Sequence, residues 1–181
     1  MAIKNKNQII EECILSLANG DTDAMDLLYE TIKKDVYSLA LSKVCNKFDA
    51  DDILQETFVR IYQNAKLYTP QGKPMAWIVI VESNVINRFY QLNGRRETLS
   101  DDAVYSAKDE CEVTERDIKD DYLVGLLAKL SEFEREVISL HLVSNMKFRQ
   151  IAEVLDKPLS TILSKYNRAI KKLQKIVKEE K

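Results

Sequence analysis

Apolar residues recur along this chain at intervals of three and four, the spacing of a helix that buries one face. A first helix is expected over about 8–17, stopped by Asn19-Gly20. Asp21 or Thr22 caps a second, which places Met25, Leu28, Ile32, Val36, Leu39 and Ala40 on one side. A third is expected over about 49–65. It sets Ile53, Phe58, Val59 and Ile61 among polar residues and puts acids in its first turn, where the helix dipole favours them. Pro70 and Gly72 mark a loop over 66–73. Pro74 then opens a fourth helix that should end at Gly94. Its beginning, Trp77-Ile78-Val79-Ile80-Val81, is β-branched enough for a strand. The sequence offers no second strand to pair with it, so a helix is expected.

Residues 95 to about 117 lack an apolar period and are acidic. They suit a charge-extended tether between two domains, with a solvated loop inside one domain as the alternative. Helical patterning resumes over 120–130. Ser131 and Glu134 then form a capping box at the head of a helix reaching about Val143. A short helix follows over 148–155, Asp156-Lys157 makes a turn, and Pro158 opens a long last helix to about Lys178. Two helices joined by a short turn, the second basic, outline a helix-turn-helix. The expected fold is all-α: two small helical domains, 7–96 and 119–178, joined by an acidic linker over 97–118.

Composition narrows the chemistry. Four glycines and three prolines in 181 residues are too few for the turns of a many-stranded barrel or sandwich. The longest apolar run, over 76–81, is far short of the ~20 residues of a membrane span. The polar, lysine-bearing start is not followed by an apolar segment, so no signal peptide is expected. Cys13, Cys45 and Cys111 are scattered without a CxxC, which suits reduced thiols in a cytoplasm. The single histidine, His141, sits among Leu140, Leu142 and Val143 as a packing residue would. With one histidine there is no ordinary Ser-His-Asp set, no HExxH and no His-rich metal site, and no glycine-rich phosphate loop is present. No catalytic residue, metal or cofactor is expected, and the chain does not read as an enzyme.

The net charge of −2 hides a partition. Nine acids stand over 101–121 against Lys108, Arg116 and Lys119, whereas eight bases stand over 157–181 against Glu179 and Glu180. A phosphate backbone meets this local field rather than the sum. It also permits a closed state in which the tether screens the last helix.

Three constellations stand out. In the helix-turn-helix, Ile151, Ala152 and Leu155 should face Ile162, leaving Ser160, Thr161, Ser164, Lys165 and Arg168 on the outer face of the last helix. Short hydroxyls and cations on the N-terminal half of a helix suit base edges and phosphates in a major groove. On the third helix Asp49, Asp51, Asp52 and Glu56 surround Gln55, either as a solvated face or as a protein-docking surface. No loop of EF-hand spacing turns these acids into a calcium site. Downstream, Trp77, Asn84, Asn87, Arg88, Phe89, Tyr90, Gln91, Asn93, Arg95 and Arg96 mix rings, amides and cations, the inventory for unpaired bases. Trp77 fits either the core or a stacking platform.

The block Asp49-Ala50-Asp51-Asp52-Ile53-Leu54-Gln55-Glu56-Thr57-Phe58-Val59-Arg60, followed by Ala76-Trp77, resembles region 2 of the bacterial extracytoplasmic-function sigma factors. Residues 130–173, with Ile151-Ala152-Glu153-Val154-Leu155 and Pro158-Leu159-Ser160-Thr161-Ile162, resemble their region 4. The resemblance implies an alternative sigma factor that binds core RNA polymerase and directs it to promoters. Asp51, Asp52, Gln55 and Glu56 would meet the clamp helices of the largest core subunit. Tyr68, Lys73, Asn84, Asn87, Arg88, Tyr90, Gln91, Arg95 and Arg96 would hold the −10 element, with one base flipped into a pocket of the 68–73 loop. Ser160, Thr161, Ser164, Lys165 and Arg168 would read the −35 element while region 4 touches the flap of the second large subunit. An anti-sigma protein would hold the chain inactive.

Several positions depart from the family pattern. Lys147 replaces a capping serine and Gln150 a glutamate, which weakens that cap unless Asn145 compensates. Asp156 stands where glycine is common, and aspartate tolerates the left-handed conformation better than most residues. Leu163 replaces a DNA-facing base, and Arg88 stands where an aspartate is usual. Two other readings stay open: a helix-turn-helix regulator of duplex DNA without polymerase, and a helical interaction protein that holds a partner without reading DNA.

Overall fold

The structure, a computed structural model, describes residues 5–97 and 125–179, with side chains over 5–93 and 125–178. Nearly all of the linker expected over 97–118, and the first part of the helix expected over 120–130, lie outside these residues. The described helices are α1 (Lys6–Ala18), α2 (Ala24–Val44), α3 (Lys47–Asn64), α4 (Pro74–Glu97), α5 (Glu132–Ile138), α6 (Phe148–Val154) and α7 (Leu159–Glu179). A 3₁₀ turn (Ala65–Leu67) extends α3, a π-helical turn (Ser139–Val143) extends α5, and residues 125–128 are helical. No strand occurs among the described residues, as the pattern predicted.

Local chemistry moves some boundaries. Asn5 Oδ1 accepts from the Gln8 amide at 2.9 Å and Gln8 Oε1 accepts from the Asn5 amide at 3.0 Å, a capping box that starts α1 earlier than expected. Asn46 caps α3 by accepting from the Asp49 amide at 3.1 Å. Helix α4 passes through Gly94 to Glu97, since one glycine costs only about 1 kcal/mol in a helix and Arg95, Arg96 and Glu97 are ordinary helix formers.

The Ser131–Glu134 box forms as predicted, and Lys172 Nζ adds a 2.7 Å contact to Glu134 Oε2. Burial opposes ionisation of Glu134, but the bonds from Lys172 and Ser131 outweigh it and hold the carboxyl below its usual range. At the head of α6, Gln150 Oε1 accepts from the Lys147 amide at 2.9 Å. The cap therefore comes from Gln150 and not from Asn145, which instead turns the chain at φ 56°. Asp156 takes φ 49°, the left-handed geometry expected of it.

The two helical units do not sit apart. Ile10, Ile14, Leu28, Ile32, Phe58 and Ile78 of α1–α4 belong to the same buried cluster as Val137, Leu140, Ile151 and Ile162. Helix α2 packs on α1, α3 and α4 and, on its other side, on α5 and the π turn. Polar groups set the register of that second contact. Lys43 Nζ lies 2.8 Å from Glu136 and 3.1 Å from Glu132, Arg135 Nε donates to the Ser42 carbonyl, and Ser139 Oγ donates to the Ser38 carbonyl at 3.4 Å. Burial alone would lower the pKa of Lys43, but the two carboxylates raise it above the ordinary lysine value.

Two acids are buried inside the first unit. Asp35 on α2 pairs with Lys6 Nζ at 2.6 Å through Oδ2, leaving Oδ1 without a hydrogen bond. Glu82 on α4 is 1% exposed and its Oε1 has no partner. Burial pushes the Glu82 carboxyl well above the usual range, and the Asp35 charge adds to this against a backbone hydrogen bond at Ala40. The unfolded chain ionises Glu82 at its ordinary pKa while the folded chain keeps the proton. The contribution of Glu82 to stability is therefore fully present below about pH 4 and is lost as pH rises through the folded pKa. Glu82→Gln, which cannot ionise, should melt at a higher temperature than wild type at neutral pH. In thermal melts followed by circular dichroism that advantage should shrink to nothing in acid.

Candidate functional site

Helix α3 turns Ala50, Ile53, Leu54, Thr57, Phe58 and Ile61 inward. That face fixes what points out. Asp52 and Gln55 are exposed, and Asp51 and Glu56 are half-buried. Glu56 Oε1 holds Arg60 at 2.7 Å, an i,i+4 pair. Burial, then the charge of Asp52, raises the pKa of Asp49. Phe48 is 76% exposed, and Val59 and Tyr62 are also outward. Val59, expected among the inward positions, is therefore on the surface because Phe58 takes the core-facing place. Acids interleaved with exposed rings and a valine make a better protein-docking face than a purely solvated one.

The loop between the 3₁₀ turn and α4 is tied down from α1. Tyr68 is only 8% exposed, and its hydroxyl donates to Glu11 Oε1 at 2.7 Å. The same oxygen accepts from the Gly72 amide at 3.1 Å, and Gly72 takes φ 68°. Burial and the Glu11 carboxylate raise the pKa of the Tyr68 phenol. Tyr68 thus anchors the loop, and its buried ring packs edge-on against Trp77 at 5.2 Å. This differs from its expected place on a DNA-facing surface: the phenol finds its partner in the protein.

Two grooves flank Trp77, which is half-buried, packs on the core and lines both. The first, about 390 Å³, runs between α3 and α4 and brings Asn84 and Arg88 together with Glu56, Arg60 and Asn64. The second, about 370 Å³, is lined by Thr69, Gln71, Lys73, Trp77 and Ile80, and by Glu153 and Val154 of α6. Lys73 Nζ meets Glu153 Oε2 across it at 2.6 Å. Further along α4, Asn87 and Gln91 are exposed, while the Tyr90 hydroxyl donates to the Lys43 carbonyl at 2.9 Å. Arg95 and Arg96 continue the helix, with side chains outside the described set.

On the second unit, α6 and α7 form the expected helix-turn-helix, with Ile151 and Ile162 fully buried between them. Ser160, Ser164 and Arg168 lie at i, i+4 and i+8 on α7 and are exposed. Thr161 and Lys165 are half-buried, and Lys165 Nζ lies 5.9 Å from the Phe133 ring centroid. Leu163 is exposed within the same face. His141 is a packing residue: it stacks on Phe148 at 4.0 Å, meets Tyr166 edge-on at 5.0 Å and contacts the Met146 carbonyl through Nδ1 at 2.9 Å.

Residues 28–96 match Sigma-70 region 2, and residues 120–173 match Sigma-70, region 4. The chain belongs to the sigma-70 family, among its extracytoplasmic-function members. The extracytoplasmic-function sigma factor SigM of Bacillus subtilis is 26% identical over 83% of this chain and 93% of its own length. SigW of the same organism is 25% identical over 94% and 98%. Among solved structures, CnrH in complex with the cytosolic domain of CnrY superposes with a TM-score of 0.70 at 20% identity, covering 96% of this chain and 99% of that one. The sigma factor RpoE in complex with the anti-sigma factor NepR from Bartonella quintana gives 0.68 at 21%, covering 86% and 98%. The protein is therefore an alternative sigma factor that acts with RNA polymerase. No helix among the described residues is long and apolar enough to cross a membrane, and no metal-holding cluster occurs among them.

Glu11 was invisible in the sequence, since it stands 57 residues before Tyr68. Glu11→Ala should free the Gly72 amide and the Tyr68 hydroxyl together. The expected cost is about 1–3 kcal/mol, with faster hydrogen exchange at Gly72 and little change on α7. Unchanged protection at Gly72 would show that the loop is held by something else.

Proposed function

We propose that this sigma factor binds core RNA polymerase through α3 and positions promoter DNA on α4, the 68–73 loop and α7. Asp52 and Gln55, with Asp51 and Glu56 beside them, are the residues assigned to the clamp helices of the largest subunit. Asn84, Asn87, Arg88, Gln91 and Lys73 are assigned to the −10 element, together with Arg95 and Arg96. Tyr68 and Tyr90 hold the loop and helix that carry these groups. Ser160, Thr161, Ser164, Lys165 and Arg168 are assigned to the −35 element. Residues 7–96 and 119–178 would be the two working domains and 97–118 the linker, in a cytoplasmic, non-enzymatic initiation subunit.

The observation that carries this reading is the pair of outward faces on inward-anchored helices. Helix α3 buries one side completely and offers Asp52 and Gln55 with Phe48 and Tyr62 on the other. Helix α7 buries Ile162 and Ala169 and offers Ser160, Ser164 and Arg168. A second reading, a duplex-DNA regulator without polymerase, gives the α3 face no task. Because two solved relatives in fold are bound to CnrY and NepR, an anti-sigma protein is proposed as a further partner.

The decisive experiment is co-elution with bacterial core polymerase. Asp52→Ala with Gln55→Ala should weaken binding by roughly tenfold, the effect of losing a contact of about 1–2 kcal/mol, with helix content unchanged because both side chains are exposed. Wild-type affinity in that variant would remove α3 from the interface. For α7, Lys165→Ala with Arg168→Ala should lower −35-dependent transcription and reduce the salt slope of promoter-duplex binding by about one per lost phosphate contact. An unaltered slope would place the phosphate contacts on other residues.

A further inference from the structure

We infer that α6 is a lid over the groove of the 68–73 loop, and that the Lys43 clamp on α5 holds it shut. The inference rests on the assignment of that loop to base capture. The groove is walled on one side by Thr69, Gln71, Lys73 and Trp77 and on the other by Glu153 and Val154 of the helix-turn-helix. Lys73, a cation assigned to DNA, spends its charge on Glu153 at 2.6 Å. The two outward faces are treated differently. Asp52 and Gln55 on α3, and Ser160, Ser164 and Arg168 on α7, remain exposed in the same packing. The chain thus shows its protein-docking face and its duplex-reading helix, while α6 narrows the unpaired-base groove by forming one of its walls, with Thr69, Gln71 and Lys73 exposed at the rim.

What keeps α6 in place is remote from the groove. Lys43 at the end of α2 is 14% exposed and lies between Glu132 and Glu136 of α5. Arg135 and Ser139 bond the Ser42 and Ser38 carbonyls beside it. The π turn that extends α5 packs against α6, and α7 packs against both α5 and α6, so moving α5 from α2 moves α6 from the loop through these two. A buried ion pair that loses one partner leaves an unpaired charge in a poorly solvated place. Reversal of Lys43 should therefore open the packing, whereas the exposed pair Lys73–Glu153 alone is too solvated to hold it.

Lys43→Glu puts three carboxylates together and makes the chain two charges more negative. Charge alone would then weaken DNA binding, so a gain has the opposite sign and reports opening. Trp77 is the single tryptophan and lines this groove. In Lys43→Glu, acrylamide quenching of Trp77 should rise about twofold. Affinity for a labelled single strand of about 12 mixed nucleotides should rise by threefold or more, as the open fraction sets the apparent affinity. Lys43→Glu combined with Glu136→Lys restores the pair and should return both readings to wild type.

Unchanged Trp77 quenching in the folded variant overturns the lid. Increased quenching without tighter oligonucleotide binding, or a gain that survives Thr69→Ala with Gln71→Ala, leaves the lid and overturns the base-capture assignment. Should Lys43→Glu lose its helical circular dichroism, the milder Lys43→Met removes the clamp charge and leaves Glu132 and Glu136 without it. Trp77 quenching is then the deciding reading: a rise supports the lid and no change overturns it.

Discussion

Helix α2 is asked to satisfy two partners at once. Its first two-thirds give Leu28, Ile32 and Val36 to the bundle with α1, α3 and α4. Its last turns have fewer large apolar groups to offer α5 and instead present Lys43 and the carbonyls of Ser38 and Ser42. Apolar contact is non-directional and would permit the two units to slide. The charge of Lys43 between two carboxylates does not, because a half-made buried pair is worse than none. The shared apolar cluster holds the two units together, and Lys43, with the bonds to the Ser38 and Ser42 carbonyls, fixes where α5 sits on α2.

The helices were legible because their signals are local. Capping boxes, Pro74, the apolar period of α2 and α7 and the left-handed Asp156 all act within a few residues. Even Gly94, expected as a stop, misled by only three residues, since its propensity penalty is small beside the helix formers that follow it. What could not be read was the pairing between distant segments. Nothing in residues 38–43 announces that their carbonyls and lysine belong to α5, some ninety residues later. The acidic tether offered a route to closure by charge, whereas the described contacts close the chain through packed helices and a buried ion pair.

The functional faces divide along the same line. Asp52, Gln55, Ser160, Ser164 and Arg168 were identifiable because a helix that buries one side exposes the other, and that rule needs only the sequence. Tyr68 was assigned to a DNA-facing surface by the resemblance, which puts the 68–73 loop on the −10 element. Its hydroxyl instead found Glu11, a partner that only the folded chain brings near. Phe48 and Tyr62 were passed over because their apolar character was out of phase with the buried set.

The cations of the second unit add a last physical constraint. Lys172 is held by Glu134, Lys165 lies over Phe133, and across the interface Lys43 and Lys73 are held by carboxylates of α5 and α6. Two cations of the basic stretch over 157–181, Lys165 and Lys172, are therefore already engaged within the folded chain. Any phosphate must compete with these partners, so the basic stretch over 157–181 presents a weaker field than its residue count suggests. Arg168, exposed on the α7 row, needs no rearrangement to meet a backbone. Lys165 lies beside the Phe133 ring, and Lys73 shares an exposed pair with Glu153. Duplex contact can then precede single-strand contact, an order set by which cations are already engaged when the chain is closed.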